Sequence, residues 1–287
     1  MSSVAVVTDT TQYLPSDAIA RHGVHLVSLY VNWNGRTDRE SELPDYDAYY
    51  DFLRSGGDLP STSQPSVGDF LEVYEPLVEA GQDILSIHLS GAISGTVRAA
   101  EQARELLIER GRAPERMVVL DSRTGCAGHG LMAVAAANAG GDLDAAVAAA
   151  RALREDFRVI VMVDTLEYLR RGGRIGAARA WIGATLKVKP ILTIDGEMQP
   201  VERVRTAGRA FERLVAHLER RHEDGCDAFA VQHIQVPEDA ERLAERGREI
   251  FGRDPELVSE IGPVIGTHLG PGVLGVAGLR TSLLGTL

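Results

Sequence analysis

The sequence predicts a two-lobed α/β protein, with a mostly parallel sheet in the N-terminal lobe and a second α/β lobe after it. Short β-branched runs alternate with stretches of helical spacing through the first half of the chain, the signature of a parallel sheet covered on both faces. Beyond residue 160 a D-G turn between apolar runs announces a hairpin, and further strand and helix patterns follow. A length of 287 residues with 44% hydrophobic composition suffices for a large core and two lobes.

Taken in order, VAVVTD (4–9), HLVSLYVNW (25–33), DILSIHLS (83–90), MVVLDS (117–122) and RVIVMVDT (158–165) read as strands. Between them DYDAYYDFL, VGDFLEVYEPLVEA, the segment after Gly95 and two Ala-rich stretches from 126 to 155 read as helices. ILTIDGEMQPVERVR reads as a hairpin turning at Asp195-Gly196. A helix over 206–222, a strand DAFAVQHI, a helix over 237–251 and the strands ELVSEIG and VLGVAGL complete the chain. The expected division is 1–160 for the first lobe, carrying the anion-binding loops, and 161–287 for the second. Residues 165–176 are read as the crossing, and the last strand as one with the option of returning to the first lobe.

A net charge of -11 opposes a polyanionic partner, so general nucleic-acid binding is not expected. Cys126 and Cys226 form neither a C-x-x-C pair nor a disulfide framework. The N-terminus has no basic and apolar leader pattern, and no run reaches the roughly 18 apolar residues of a membrane span. A cytoplasmic protein is the expectation.

Ligands of open α/β sheets gather outside the carboxyl ends of the strands, so the polar groups there are the candidates. They are Asp9 with Thr10 and Thr11, Ser90 to Thr96, Asp121 to Thr124, Thr62 in the loop PSTSQPS, and His268 between glycines. In SGAISGTVRAA, hydroxyls and glycines stand where a strand hands over to a helix, a place that favours an anion. The loop lacks the lysine of G-x-x-x-x-G-K-[ST] and is not a nucleotide loop. Short hydroxyls suit one carboxylate better than a triphosphate. Each candidate also has an ordinary structural role: Ser94 as a helix cap, Thr62 as a turn stabiliser, His268 as a packed histidine, Asp9 and Asp121 as loop caps. The G-x-G-x-x-G at Gly270, Gly272 and Gly275 lacks a following helix and acidic residue, and the scattered histidines make no zinc spacing. No metal or cofactor is expected.

VVTDTT, PSTSQPS, SGAISGTVRAA, DSRTGCAGHGL, TLEYLRRGGRIG, KPILTIDGEM, VRT and IGPVIGTHLGPGVLGV resemble, in order, the successive signatures of the DegV family. These are bacterial fatty-acid-binding proteins that include the FakB subunits of fatty acid kinase. The resemblance implies a two-lobed protein enclosing one long-chain fatty acid, its carboxylate near the surface and its acyl chain buried. It implies ligand contacts at Thr62 and Ser94, with the adjoining Gly95 and Thr96 in the same turn. Behind them it implies His268 and an arginine of LRRGGRI, taken as Arg171 with Arg170 the alternative. The family role implies no catalysis by this chain: a separate ATP-binding, dihydroxyacetone-kinase-like subunit converts the bound acid to an acyl phosphate. Arg203, Arg205 and Arg209 form a basic cluster suited to steering an acidic face of that partner. The rival reading is a hydrolase or phosphotransferase built on Ser94, His268 and Asp121, although no G-x-S-x-G supports it.

Overall fold

The computed structural model describes residues 4–56, 60–112, 116–182, 188–285 and 287. The first part runs β1 (Val4–Asp9), α1 (Ser16–Arg21), β2 (His25–Val27), β3 (Tyr30–Trp33), β4 (Arg36–Arg39), α2 (Asp47–Arg54) and β5 (Ser61–Ser63). It continues with α3 (Val67–Glu79), β6 (Asp83–His88), α4 (Thr96–Glu109), β7 (Met117–Asp121), α5 (Ala127–Asn138) and α6 (Leu143–Asp156). The second part runs β8 (Arg158–Met162), α7 (Glu167–Arg171), β9 (Lys189–Asp195), β10 (Glu197–Val204), α8 (Ala207–Glu223) and β11 (Ala228–Ile234). It closes with α9 (Pro237–Phe251), β12 (Leu257–Glu260), α10 (Pro263–Leu269), β13 (Val273–Leu279) and α11 (Thr281–Leu284).

Three sheets result: a four-stranded parallel sheet β2-β1-β6-β7, a six-stranded mixed sheet β10-β9-β8-β13-β11-β12, and a three-stranded antiparallel sheet β4-β3-β5. The centre strands of the parallel sheet are buried along nearly their whole length because helices cover both faces. Local signals set the helix starts. Ser66 Oγ accepts the Asp69 N–H at 3.1 Å while Asp69 Oδ2 accepts that of Ser66 at 2.7 Å, a reciprocal cap on α3. Asp142 caps α6 through the Ala145 N–H at 3.0 Å. Helix α5 is buried from Ala127 through Ala136, as a helix apolar all round must be. With α6 it shares one core with Val6, Leu85 and Ile87 of the parallel sheet and Ala230, Ala277 and Leu279 of the mixed one. The two sheets are thus packed through this pair of helices.

Several readings of the sequence are corrected. HLVSLYVNW is two strands in two sheets, because the Leu29 N–H goes to Thr10 Oγ1 at 3.2 Å and its carbonyl to the Glu40 N–H at 2.9 Å. These bonds take Leu29 out of the ladder. The serine-threonine stretch of PSTSQPS is not a loop throughout, since Ser61–Ser63 form β5, with Thr62 opposite Val31. The division near residue 160 falls inside β8, which pairs with β9 and β13 of the mixed sheet. The last strand β13 does not return to the first lobe: it lies between β8 and β11. The expected hairpin is β9–β10, turning at Gly196 with φ 77°. Its tip docks on the first lobe, where Gly196 donates to Arg123 O at 2.7 Å and accepts from Ser90 Oγ at 2.5 Å.

Candidate functional site

A cavity of about 320 Å³ lies where the three sheets and α10 meet, within the range of small-molecule sites, roughly 300–1,000 Å³. Its wall is mostly apolar: Ile93, Val161, Ile194, Met198, Val264 and Val276 line it together with Phe157. The polar lining includes Thr62, Ser63, Gln64, Ser94, Arg174 and His268.

Thr62 and His268, 206 positions apart, meet at 2.9 Å between Oγ1 and Nε2. The strand pairing of β5 with β3 fixes one partner and α10 carries the other. Helix α10 is anchored by three phenols and a carboxylate. Tyr49 Oη lies 2.5 Å from Thr267 Oγ1, and Tyr50 donates to Ile261 O at 2.6 Å. Glu40 Oε1 accepts the Val264 N–H at 2.8 Å and the Tyr13 hydroxyl at 2.7 Å. Burial pushes the Glu40 carboxyl up to about 7 in spite of those two donors.

Behind His268 the Gly172 backbone presses on the ring, and any side chain at 172 would collide with Nδ1. That nitrogen has no hydrogen-bond partner among the described residues. Orphaned buried N–H groups are rarer than orphaned acceptors, which puts the imidazole proton on Nε2. His268 then donates to Thr62, and the Thr62 hydroxyl keeps its own proton for a ligand. Burial, and secondarily the charge of Arg174, push His268 down to about 4, so the ring is neutral at pH 7.

Ser94 stands half-buried on the cavity wall, its Oγ 2.8 Å from Thr96 Oγ1 and accepting the Thr96 N–H at 3.3 Å. Gly95 also lines the cavity, whereas Thr96 is fully buried behind Ser94. Arg171 is a correction. It is 47% exposed in its side chain, pairs with Glu167 at 2.6 Å, and does not line the cavity; Arg170 pairs with the same carboxylate at 2.7 Å. The arginine of LRRGGRI at the wall is Arg174, which donates to Ile93 O at 3.2 Å and Gly172 O at 2.6 Å. Two glycines before it turn the chain back towards the cavity, so spacing along α7 could not identify it.

The Ser94–His268–Asp121 triad is not assembled. Ser94 is bonded to Thr96, His268 to Thr62, and Asp121 Oδ1 accepts the Arg123 N–H at 2.8 Å.

Sequence reasoning missed a buried network beneath the site. Asp9 is wholly buried, and its Oδ2 accepts from His88 Nδ1 at 3.0 Å and from the Leu89 N–H at 3.1 Å. Its Oδ1 accepts from the Thr11 N–H at 3.1 Å, the Thr11 hydroxyl at 2.5 Å and His129 Nε2 at 3.2 Å. His88 Nε2 meets Ser86 Oγ at 2.7 Å, which meets the Tyr74 hydroxyl at 2.7 Å. Burial opposes ionisation of Asp9, but His129 and His88 outweigh it and hold the carboxyl well below the usual range. The network ties the end of β1 to the start of the Ser90–Ser94 turn and to α5. Strand-end position flagged Asp9; no local signal marked the two histidines. Among the described residues no group of three such side chains is arranged to hold a metal ion, and no helix is long and apolar enough to cross a membrane.

Comparisons with known proteins agree over the whole length. A family profile described as "Uncharacterised protein, DegV family" matches residues 3–281. A DegV domain-containing protein of Streptomyces coelicolor is 40% identical over 279 residues, covering 95% of this chain and 97% of the relative. One from Clostridium acetobutylicum is 37% identical over 280 residues, covering 96% and 97%. A solved structure described as fatty acid binding of a DegV family protein from Thermus thermophilus superposes with a TM-score of 0.86 at 35% identity, covering 97% of this chain and 99% of its own. DegV of Bacillus subtilis, described as a fatty acid binding protein, gives 0.86 at 34% identity, covering 96% and 99%.

Proposed function

The chain belongs to the DegV family, and from that premise we propose that it encloses one long-chain fatty acid and presents the carboxylate to a separate ATP-dependent kinase for acyl phosphate formation. One observation supports this above the others: an apolar cavity whose polar lining includes the hydroxyls of Thr62 and Ser94, with neutral His268 orienting the first. The relatives described as fatty-acid-binding supply the ligand class.

The acyl chain supplies the grip. Burying a methylene is worth about 0.8 kcal/mol, so roughly 15 of them offer on the order of 12 kcal/mol before the costs of binding. The carboxylate needs enough donors to avoid becoming an unpaired buried charge. Thr62, whose hydroxyl accepts from His268 and so has its own proton free to donate, and Ser94 supply two. Neither carries a fixed charge, so an oxygen of the carboxylate stays available to an incoming phosphoryl group. Chemistry then belongs to the partner, whose ATP puts the exchange in the cytoplasm. The exposed basic cluster of Arg203, Arg205 and Arg209 is the proposed docking face, Arg203 being held over the Trp181 ring at 5.1 Å.

Protein purified from a heterologous host is expected to release fatty acid on denaturation and organic extraction, detected by mass spectrometry. Folded protein that carries no lipid and takes up neither oleate nor palmitate overturns the reading.

A further inference from the structure

Gln64 follows Thr62 and Ser63, is exposed between β5 and α3, and lines the cavity. Its amide occupies the space beside Gly95, the residue that opens α4. A Cβ at Gly95 would fall 2.6 Å from Gln64 Cδ and 2.9 Å from Nε2, and closer still to Oε1. The Gly95 backbone, at φ -81° and ψ 7°, is open to any residue. Conformation therefore does not require glycine here, and the position is one where Ser, Thr, Asp or Asn normally caps a helix. Gly95 itself supplies no side-chain cap to α4, and the one first-turn N–H that a side chain accepts, that of Thr96, goes to Ser94 Oγ. The three nearest heavy atoms that a side chain at 95 would meet all belong to the Gln64 amide. Gly95 is small because that amide is seated on it.

The seat also orients the amide. The first turn of α4 presents unpaired N–H groups and the positive end of a 14-residue helix. Of the three amide atoms Oε1, its negative end, lies nearest the place a Gly95 Cβ would take and Nε2 lies farthest from it, so the Nε2 hydrogens are the donors free to face a ligand. We propose that Gln64, seated on Gly95, is a specificity-determining residue that donates through Nε2 to the bound carboxylate alongside Thr62 and Ser94. This rests on the fatty-acid reading above and adds a third neutral donor to the headgroup. It passes the helix potential to the carboxylate without bringing a charge that would compete for it.

The test compares palmitate with 1-hexadecanol, which has the same chain length and a hydroxyl head, by displacement of a fluorescent fatty acid. The proteins are wild type, Gln64→Ala, Gly95→Ala and the double variant, each checked for an unchanged melting transition. Gln64→Ala is expected to weaken palmitate about tenfold and hexadecanol less than about twofold, because only the charged head loses a donor. Gly95→Ala unseats the amide without deleting it and is expected to weaken palmitate in the same direction. The double variant is then no weaker than the worse single one, since both remove one interaction. Equal effects on both ligands, or palmitate binding unchanged in Gln64→Ala, overturn the proposal while leaving the fatty-acid reading intact. Wild-type protein that binds neither ligand overturns that reading, and the proposal with it.

Discussion

In the function proposed above, His268 acts on the headgroup through Thr62, the residue it meets at 2.9 Å. With its ring neutral and its proton on Nε2, it turns the threonine hydroxyl into a donor. A valine at 62 keeps the shape and loses the proton. Thr62→Val and Ser94→Ala are each expected to cost about 1–3 kcal/mol of fatty acid affinity, read as a rise in Kd by calorimetry. An ester-hydrolysing activity abolished by Ser94→Ala with lipid binding intact would contradict this. The arginines separate cleanly. Arg171→Ala removes only an exposed pair with Glu167 and is expected to leave Kd within about twofold, whereas Arg174→Ala strips the wall of its cation and weakens binding. Asp9 is different in kind. Asn at that position cannot accept from all five donors, so Asp9→Asn is expected to destabilise the fold by roughly 3 kcal/mol in urea unfolding.

Helix α10 is seven residues long and owes its position to Glu40, Tyr13, Tyr49 and Tyr50 rather than to its own propensity. Glu40 makes that anchor sensitive to pH. Its folded-state value, about 7, lies above the unfolded one, so the folded protein binds more protons between the two. The contribution to stability is full below about pH 4.5 and is lost as pH rises through 7. His268 runs the other way: its value is lowered to about 4, so its cost to the fold grows as pH falls from about 6.5 towards 4. Glu40→Gln keeps an acceptor for the Val264 N–H. The variant is expected to melt with less dependence on pH between 5 and 8 than wild type; parallel profiles would show that Glu40 does not titrate there.

At the scale of the molecule, the cavity is assembled from all three sheets: Thr62 comes from the small one, Leu89 follows a strand of the parallel one, and Val161, Ile194 and Val276 come from the mixed one. A ligand that touches both lobes binds only the folded assembly. Fatty acid at 100 times Kd is therefore expected to add about 2.7 kcal/mol, a rise of roughly 4–5 °C in melting temperature by scanning calorimetry. No shift with saturating oleate would argue against a shared cavity. Docking of the proposed kinase belongs to the surface. Arg205→Ala is expected to slow acyl phosphate formation by the cognate kinase without changing lipid affinity, and unchanged kinetics would remove the patch from the account.

Period-2 and period-3.6 patterns of the chain and its D-G turn marked most of the longer strands and helices, because those signals act over a few neighbours, but not the short elements β4, β5, α1, α7, α10 and α11. The ordered motifs settled the family, and with it Thr62, Ser94 and His268 as residues to examine. Tertiary structure alone decided the rest. That β2 and β3 part at Leu29, that Arg174 and not Arg171 reaches the wall, and that His88 and His129 converge on Asp9 depend on contacts between residues far apart in sequence. Such contacts are fixed by packing and by the need to satisfy buried polar groups, neither of which leaves a spacing in the chain to be read.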